Sequence, residues 1–351
     1  MKILHILRGL ELTSGISAFL VENADRQVES GHDVAILYER FLEYKPSRHV
    51  KIFNAKSPRG INFTPDIVHI HAVWSLFSVK AMRWCLRNKI PFIVSPHGCL
   101  MPRVMTKGRV KKCLFYRFLL KPLIQRAAAL HATAQAEATV LRDLGLCPKI
   151  YIVPLGVELP QIEPQVEHGV KKVLFVGRLG EEKGLVNLLH AWSRVDHAGW
   201  RLVIAGPDWM GYKRVLEEEI GKMSLQDSVD FPGVVSGDVK DQCYRSADVF
   251  VLPSPMENFS SVVLEAMAYS LPVIATKGTP WKVLSDAHCG WWIDQGLDPL
   301  VAALNDAMHI SDSKRKEMGE RGKKLAEKGY SWDGVSQRLL LAYSEIFKYF
   351  I

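Results

Sequence analysis

The strongest constraint in this chain is its rhythm. Short β-branched runs alternate with helix-length amphipathic segments along nearly all of its 351 residues. Such alternation predicts parallel sheets, because a parallel pair needs a crossover helix between its strands. In the first half it predicts strands at Lys2–Leu7, Asp33–Tyr38, Ile67–His71, Phe92–Ser95, Ala128–Ala132 and Ile150–Val153. Helices are predicted between them at about 15–30, 75–87, 109–126 and 134–144. In the second half it predicts strands at Lys172–Val176, Arg201–Ala205, Val229–Phe231, Val249–Leu252, Val273–Ala275 and Gly290–Ile293. Helices are predicted there at about 184–194, 211–223, 238–246, 261–269 and 298–308. Two series of this size exceed one ordinary core and predict an α/β chain of two Rossmann-like, doubly wound domains. The stretch Leu159–Glu167 has two prolines and no periodicity, which marks a linker. The domains are therefore expected at 1–160 and 171–332, with 161–170 between them and a ligand cleft at the strands' carboxyl ends.

Composition removes other classes. No apolar run reaches the roughly 18 residues a membrane span needs. Met1–Leu7 lacks the long apolar core and small-residue cleavage site of a signal peptide, and reads as a buried first strand. Six cysteines form no C-x-x-C pair, so no structural zinc site is expected. Scattered free thiols imply a reducing cytoplasm. The net charge of +8 is uneven: residues 1–165 carry 23 basic against 12 acidic side chains. An anionic partner is expected for that half. Between Pro102 and Arg126 stand eight basic residues and no acidic one, interleaved with Leu114, Phe115, Phe118 and other apolar residues. This is the pattern of a helix lying on an anionic membrane surface, and equally of a packed helix with solvated charges. No stacking platform accompanies the charge, so nucleic acid is not expected as a partner.

Three passages follow predicted strands and carry chemistry. Val176–Gly184 opens a helix and holds Arg178 and Lys183, two cations at a mouth where free N–H groups suit an anion. Its spacing fits neither a Walker loop nor G-x-G-x-x-G. Pro253–Ala268 holds Glu257 in a loop and Glu265 about one turn into the next helix, where carboxylates can accept from vicinal hydroxyls. Ser95-Pro96-His97-Gly98 holds a histidine on a short turn.

Together these passages resemble glycosyltransferase family 4. The resemblance runs over PDIVHIH at 65–71, SPHG at 95–98, VPLGV at 153–157, FVGRLGEEKG at 175–184 and ADVFVLPSPMENFSSVVLEAMA at 247–268. It implies the GT-B architecture, a retaining mechanism and a nucleoside diphosphate sugar as donor. It also implies roles. Arg178 and Lys183 would neutralise the diphosphate, Glu265 would bind the ribose, and Glu257 with Asn258, Phe259, Ser260 and Ser261 would line the donor pocket. Val234 and Val235 would meet the base. Gly15 would let backbone amides reach the phosphate, and His97 would touch the donor sugar. A final helix, 333–351, would return to complete the first domain.

This chain has Asn258 and Ser260 where the family has glycines, a change that bears on sugar choice. No D-x-D motif occurs, so neither a metal nor another cofactor is expected. The function implied is hexosyl transfer from a UDP- or GDP-sugar to a lipid-linked, lipopolysaccharide or exopolysaccharide acceptor at the inner membrane face. A nucleotide-sugar epimerase and a non-catalytic sugar-nucleotide-binding protein on the same fold are the alternatives.

Overall fold

The computed structural model describes all residues except 12–13, 44, 103, 105–108, 147, 161–168 and 351. The chain divides into two compact units. The first is Met1–Gly156 together with the final helix, Trp332–Phe350. The second is Val157–Ser331.

The first unit contains β1 (Lys2–Ile6), β2 (Gly9–Leu10), β3 (Asp33–Tyr38), β4 (Arg40–Leu42), β5 (Lys51–Asn54), β6 (Ile67–His71), β7 (Phe92–Ser95), β8 (Ala129–Ala132) and β9 (Lys149–Ile152). Seven of them form a parallel sheet in the order β5-β3-β1-β6-β7-β8-β9, and β2 pairs with β4 apart from it. Helices cover both faces, which is why its central strands read as unbroken apolar runs. On one face Leu4, Val68, Ile70, Val94 and Leu130 pack under Phe77, Met82, Tyr116, Leu120 and Ile124. On the other, Ile3, Ile67, Ile93 and Ala129 lie under Phe19 and Leu20 of the helix Gly15–Glu29. Val335, Leu339, Tyr343 and Ile346 of the final helix share that face. Burying each large apolar side chain contributes roughly 1.5–3 kcal/mol, so the final helix is anchored to the first sheet.

The second unit contains β10 (Lys171–Val176), β11 (Trp200–Ala205), β12 (Val229–Gly233), β13 (Val249–Leu252), β14 (Val273–Thr276) and β15 (Gly290–Ile293). They form a parallel sheet in the order β12-β11-β10-β13-β14-β15. In each unit the strand order reverses beside the first strand, between β1 and β6 and between β10 and β13. Ligands of open α/β sheets bind at such switch points.

Several elements differ from expectation. The helix Asp312–Tyr330 was not anticipated, because its buried residues are mostly small or charged (Gly319, Gly322, Ala326, Arg315, Lys323) and give little apolar periodicity. A Cβ on Gly319 would lie 1.7 Å from Ser270 O, so close approach replaces side-chain burial there. The expected helix over 109–126 is broken into Arg109–Phe115, a π-turn at Tyr116–Leu120 and Lys121–Ile124. Pro122 gives the cause, since its ring cannot donate to a preceding carbonyl and displaces it. The first unit ends at Gly156, before the expected 160, because Val157 N–H bonds Tyr330 O at 2.8 Å and ties that residue to the second unit. Most of the expected linker, and Arg103 and Lys107 of the basic stretch, lie outside the described residues.

Candidate active site

Four loops meet at the carboxyl end of the second sheet. The loop after β10 turns through a 3-10 segment, Glu181–Lys183, and enters its helix at Gly184, whose φ is +71°. A Cβ on Gly184 would lie 2.5 Å from Pro253 O, so the loops after β10 and β13 touch backbone to backbone. Gly206, after β11, approaches Gly177 O in the same way. Gly278, after β14, lies against Pro255 O and accepts the Glu257 N–H at 2.9 Å.

Those close approaches bring charge together across the switch point. Lys183 Nζ donates to Glu257 Oε1 at 2.5 Å, and both side chains are only 16% exposed. Arg178 is half-exposed, lies over the Trp209 ring at 4.8 Å and sits 3.5 Å from Glu182. Glu265 accepts from Tyr244 OH at 2.7 Å and Lys240 Nζ at 2.8 Å. Burial beside Glu265 raises the Tyr244 hydroxyl well above its usual range, so it stays a donor. The helix Ser261–Ala268 has no side-chain cap, and its first amides can meet an anion. Ser260 precedes it at φ +68°, the left-handed conformation for which a glycine is suited, and its hydroxyl is buried without a hydrogen-bond partner. Phe259 is buried and accepts the Trp281 indole N–H through its carbonyl. Asn258 is half-buried beside it, and Val234 is exposed just past β12. Trp209, Lys240 and Tyr244 belong to this site and had no motif to reveal them.

In the first unit, a pocket of about 590 Å³ opens at the switch point between β1 and β6. Arg8, Arg40, Lys80, Lys111 and Lys112 surround it with one acid, Glu39, and its apolar lining includes Trp74 and Phe115. Arg8 pairs with Glu39 at 3.2 Å, and Lys112 donates to Val104 O while lying over Trp74. Gly15 is the first residue of its helix, behind the N-cap Ser14, and a Cβ there would meet open space. His97 stands at φ +52° after β7, with its Nε2 3.0 Å from His71 Nδ1. Burial lowers its pKa to about 3, so the ring is neutral at pH 7.

His97 is one of five histidines gathered on this face, with His5, His69, His71 and His131. Sequence reasoning missed four of them, although H-x-H in a strand buried on both faces puts two imidazoles on one side. His5, His69 and His71 place ring nitrogens within 4.8 Å of one another, as a metal site would. All six of their nitrogens are already engaged in hydrogen bonds, however, so this donor set is not free for an ion.

The model for Glycosyltransferase Family 4 matches residues 13–161, and that for Glycosyl transferases group 1 matches 161–325. The D-inositol 3-phosphate glycosyltransferase of Kineococcus radiotolerans is 30% identical over 316 residues, 79% of this chain and 71% of that one. The chain belongs to glycosyltransferase family 4. An uncharacterized glycosyltransferase of Methanocaldococcus jannaschii, MJ1607, is 32% identical over 188 residues, 51% of this chain and 46% of its own. The family 4 chain spans about half the length of the first curated relatives it matches. Among solved structures, Anabaena Alr3699/HepE in complex with UDP superposes with a TM-score of 0.81 over 98% of this chain and all of that one. At 17% identity that likeness establishes the fold, the GT-B pair of Rossmann-like units.

Proposed function

We propose that this chain transfers a sugar from a nucleoside diphosphate, UDP- or GDP-linked, to a lipid-linked or surface-polysaccharide acceptor, with retention of configuration. The observation that carries the reading is the Lys183–Glu257 pair across the second unit's switch point. A diphosphate entering there draws Lys183 away from Glu257 and frees the carboxylate for hydroxyls of the donor sugar. Arg178, steadied on Trp209, takes the same diphosphate. Glu265 accepts from the ribose, and the uncapped helix at Ser261 adds backbone donors. The leaving diphosphate is then supported by fixed positive charge as the glycosidic bond breaks, and the incoming hydroxyl attacks from the same face. Cationic side chains do this without a metal. The UDP bound by HepE favours a uridine donor.

The acceptor reading rests on the first unit. A pocket with cations around an aromatic floor suits a phosphate-bearing amphiphile. Beside it, Val110, Leu114 and Phe118 are 72%, 53% and 67% exposed and recur at a four-residue spacing, with exposed Lys111 and Arg117 among them. An outward apolar stripe flanked by cations favours contact with an anionic membrane over packing alone. Among the described residues, no helix is long and apolar enough to cross a membrane. The test is a screen of UDP-, GDP- and ADP-sugars for nucleotide release and thermal stabilisation, with and without excess EDTA. Release from one donor, unchanged by EDTA, is expected. Silence with every donor overturns the transferase reading, and a strict need for Mn²⁺ or Mg²⁺ overturns the metal-free one.

A further inference from the structure

Two lines of hydrogen bonds run behind His97, and the first ends at Gln27. In the first, His97 Nε2 lies 3.0 Å from His71 Nδ1, and His71 Nε2 lies 3.0 Å from His5 Nδ1. His5 Nε2 ends that line 2.8 Å from Gln27 Oε1. The second line starts at the Tyr343 hydroxyl. Tyr343 OH is 2.5 Å from His69 Nδ1, and His69 Nε2 is 2.5 Å from Ser95 Oγ. Ser95 Oγ is 2.6 Å from His131 Nδ1, and His131 Nε2 is 2.7 Å from the Val153 carbonyl oxygen.

Burial keeps all five rings neutral, lowering His5 and His131 to about 4 and His69 and His71 well below the usual value. Each ring therefore carries one proton, as one donor and one acceptor. The Val153 carbonyl can only accept, which decides every proton of the second line. His131 donates through Nε2, so its Nδ1 accepts from Ser95. Ser95 then accepts from His69 Nε2–H, and His69 Nδ1 accepts from Tyr343 O–H. In the first line the end is the Gln27 carbonyl oxygen, Oε1, which likewise can only accept. His5 must then donate to that carbonyl through Nε2 and accept at Nδ1. His71 must donate to His5 through Nε2 and accept at Nδ1, and only His97 Nε2–H remains to supply that proton.

We infer that this relay fixes His97 as the Nε2–H tautomer, with Nδ1 held as an acceptor for a hydroxyl of the bound sugar. Among the described residues His97 Nδ1 makes no hydrogen bond, whereas Nε2 is engaged. Phe19 walls the group, stacked on His131 and edge-on to His97. A ring so set accepts a hydrogen bond from a hydroxyl and has no N–H at Nδ1 to offer a phosphate oxygen. His71, His5 and Gln27 are positioning residues: they act through His97 and choose which of its nitrogens carries the proton. The sugar contact rests on the transferase reading, but the tautomer does not.

The test is long-range ¹H–¹⁵N correlation on the full chain with ring-labelled histidine at pH 7. The His97 signals, identified with His97→Gln, should show a protonated Nε2 and a bare Nδ1. In His71→Phe, which cannot accept that proton, the tautomers of His97 should mix and donor turnover (kcat/KM) should fall about tenfold, the scale of one hydrogen bond. His71→Gln, whose carbonyl can accept it, should restore the Nε2–H form and most of that loss. A bare Nε2, or a doubly protonated ring, in the wild-type protein overturns the inference, even where His71→Phe does not fold. Turnover lost equally in His71→Phe and His71→Gln, with the tautomer kept in both, overturns the positioning role. Absence of any donor turnover overturns the transferase reading and leaves the tautomer to the spectrum.

Discussion

Lys183 with Glu257 and Arg178 with Glu182 balance charge at the second unit's switch point, and that governs what single substitutions do. Lys183→Ala removes a phosphate ligand and also leaves Glu257 half-buried beside nothing. Arg178→Ala removes a cation whose partner, Glu182, remains solvated. Both should lower turnover by roughly 10²–10³, the usual effect of losing one fixed donor to a leaving group. Only Lys183→Ala should also lower the melting temperature. Wild-type turnover in either variant sinks the phosphate assignment. Ser260 is a different case. Its φ of +68° strains a side chain, and its hydroxyl is buried without a partner. Ser260→Gly relieves both and should be neutral or stabilising, by up to about 1 kcal/mol. A clear fall in thermal stability would show that the hydroxyl is held by something that compensates the strain.

The helical stretch 109–124 shows what a pattern conveys and what it leaves open. Its basic, apolar-interleaved sequence was legible, but which face is buried was not, since apolar residues occupy more than one side. The structure turns Tyr116, Leu120 and Ile124 inward and leaves Val110, Leu114 and Phe118 out. It also engages two of the cations: Lys112 with Val104 O, and Lys121 with Leu144 O. Among the described side chains of this stretch, Lys111 and Arg117 are the exposed cations that remain for a membrane. Near an anionic surface each contributes about 1 kcal/mol, screened over about 8 Å at physiological salt. Lys111→Gln with Arg117→Gln should therefore weaken sedimentation with phosphatidylglycerol vesicles by an order of magnitude or more at low salt. Donor hydrolysis should change little. A wild-type chain that stays in the supernatant at low salt removes the membrane reading. Strands were easier to read than this helix. Alternating polar and apolar residues are ambiguous, but five-residue runs such as Lys2–Ile6 and Ile67–His71, buried on both faces, are not. The helix Asp312–Tyr330 escaped because glycines pack by proximity and leave no hydrophobic trace.

At the scale of the molecule, two sheets share one plan and differ in what they bury. Each reverses its strand order beside its first strand, and that much follows from the strand–helix rhythm. The motif residues of the second unit were legible as well, because they crowd into two short loops. The histidine relay was not, because its members come from β1, β6, β7 and the turn after it, β8, the first helix and the final helix, which only the fold assembles. That relay makes the first unit sensitive to acid. Unfolded histidines take up protons as the pH falls through about 6.5, whereas the buried rings resist until far lower. The unfolded state therefore binds more protons below pH 6.5, and stability, full above that value, is lost as the pH drops. One pH unit below it, each histidine has taken about 1.4 kcal/mol, and five together roughly 7, comparable with the whole stability of a domain. No described histidine of the second unit is buried. Hydrogen exchange followed at pH 7.5 and 5.5 should show protection collapsing in β1, β6, β7 and the final helix while β10 and β13 hold. Equal protection of β1 and β6 at the two pH values would mean that the rings are charged in the folded state, and the neutral relay could not then be correct.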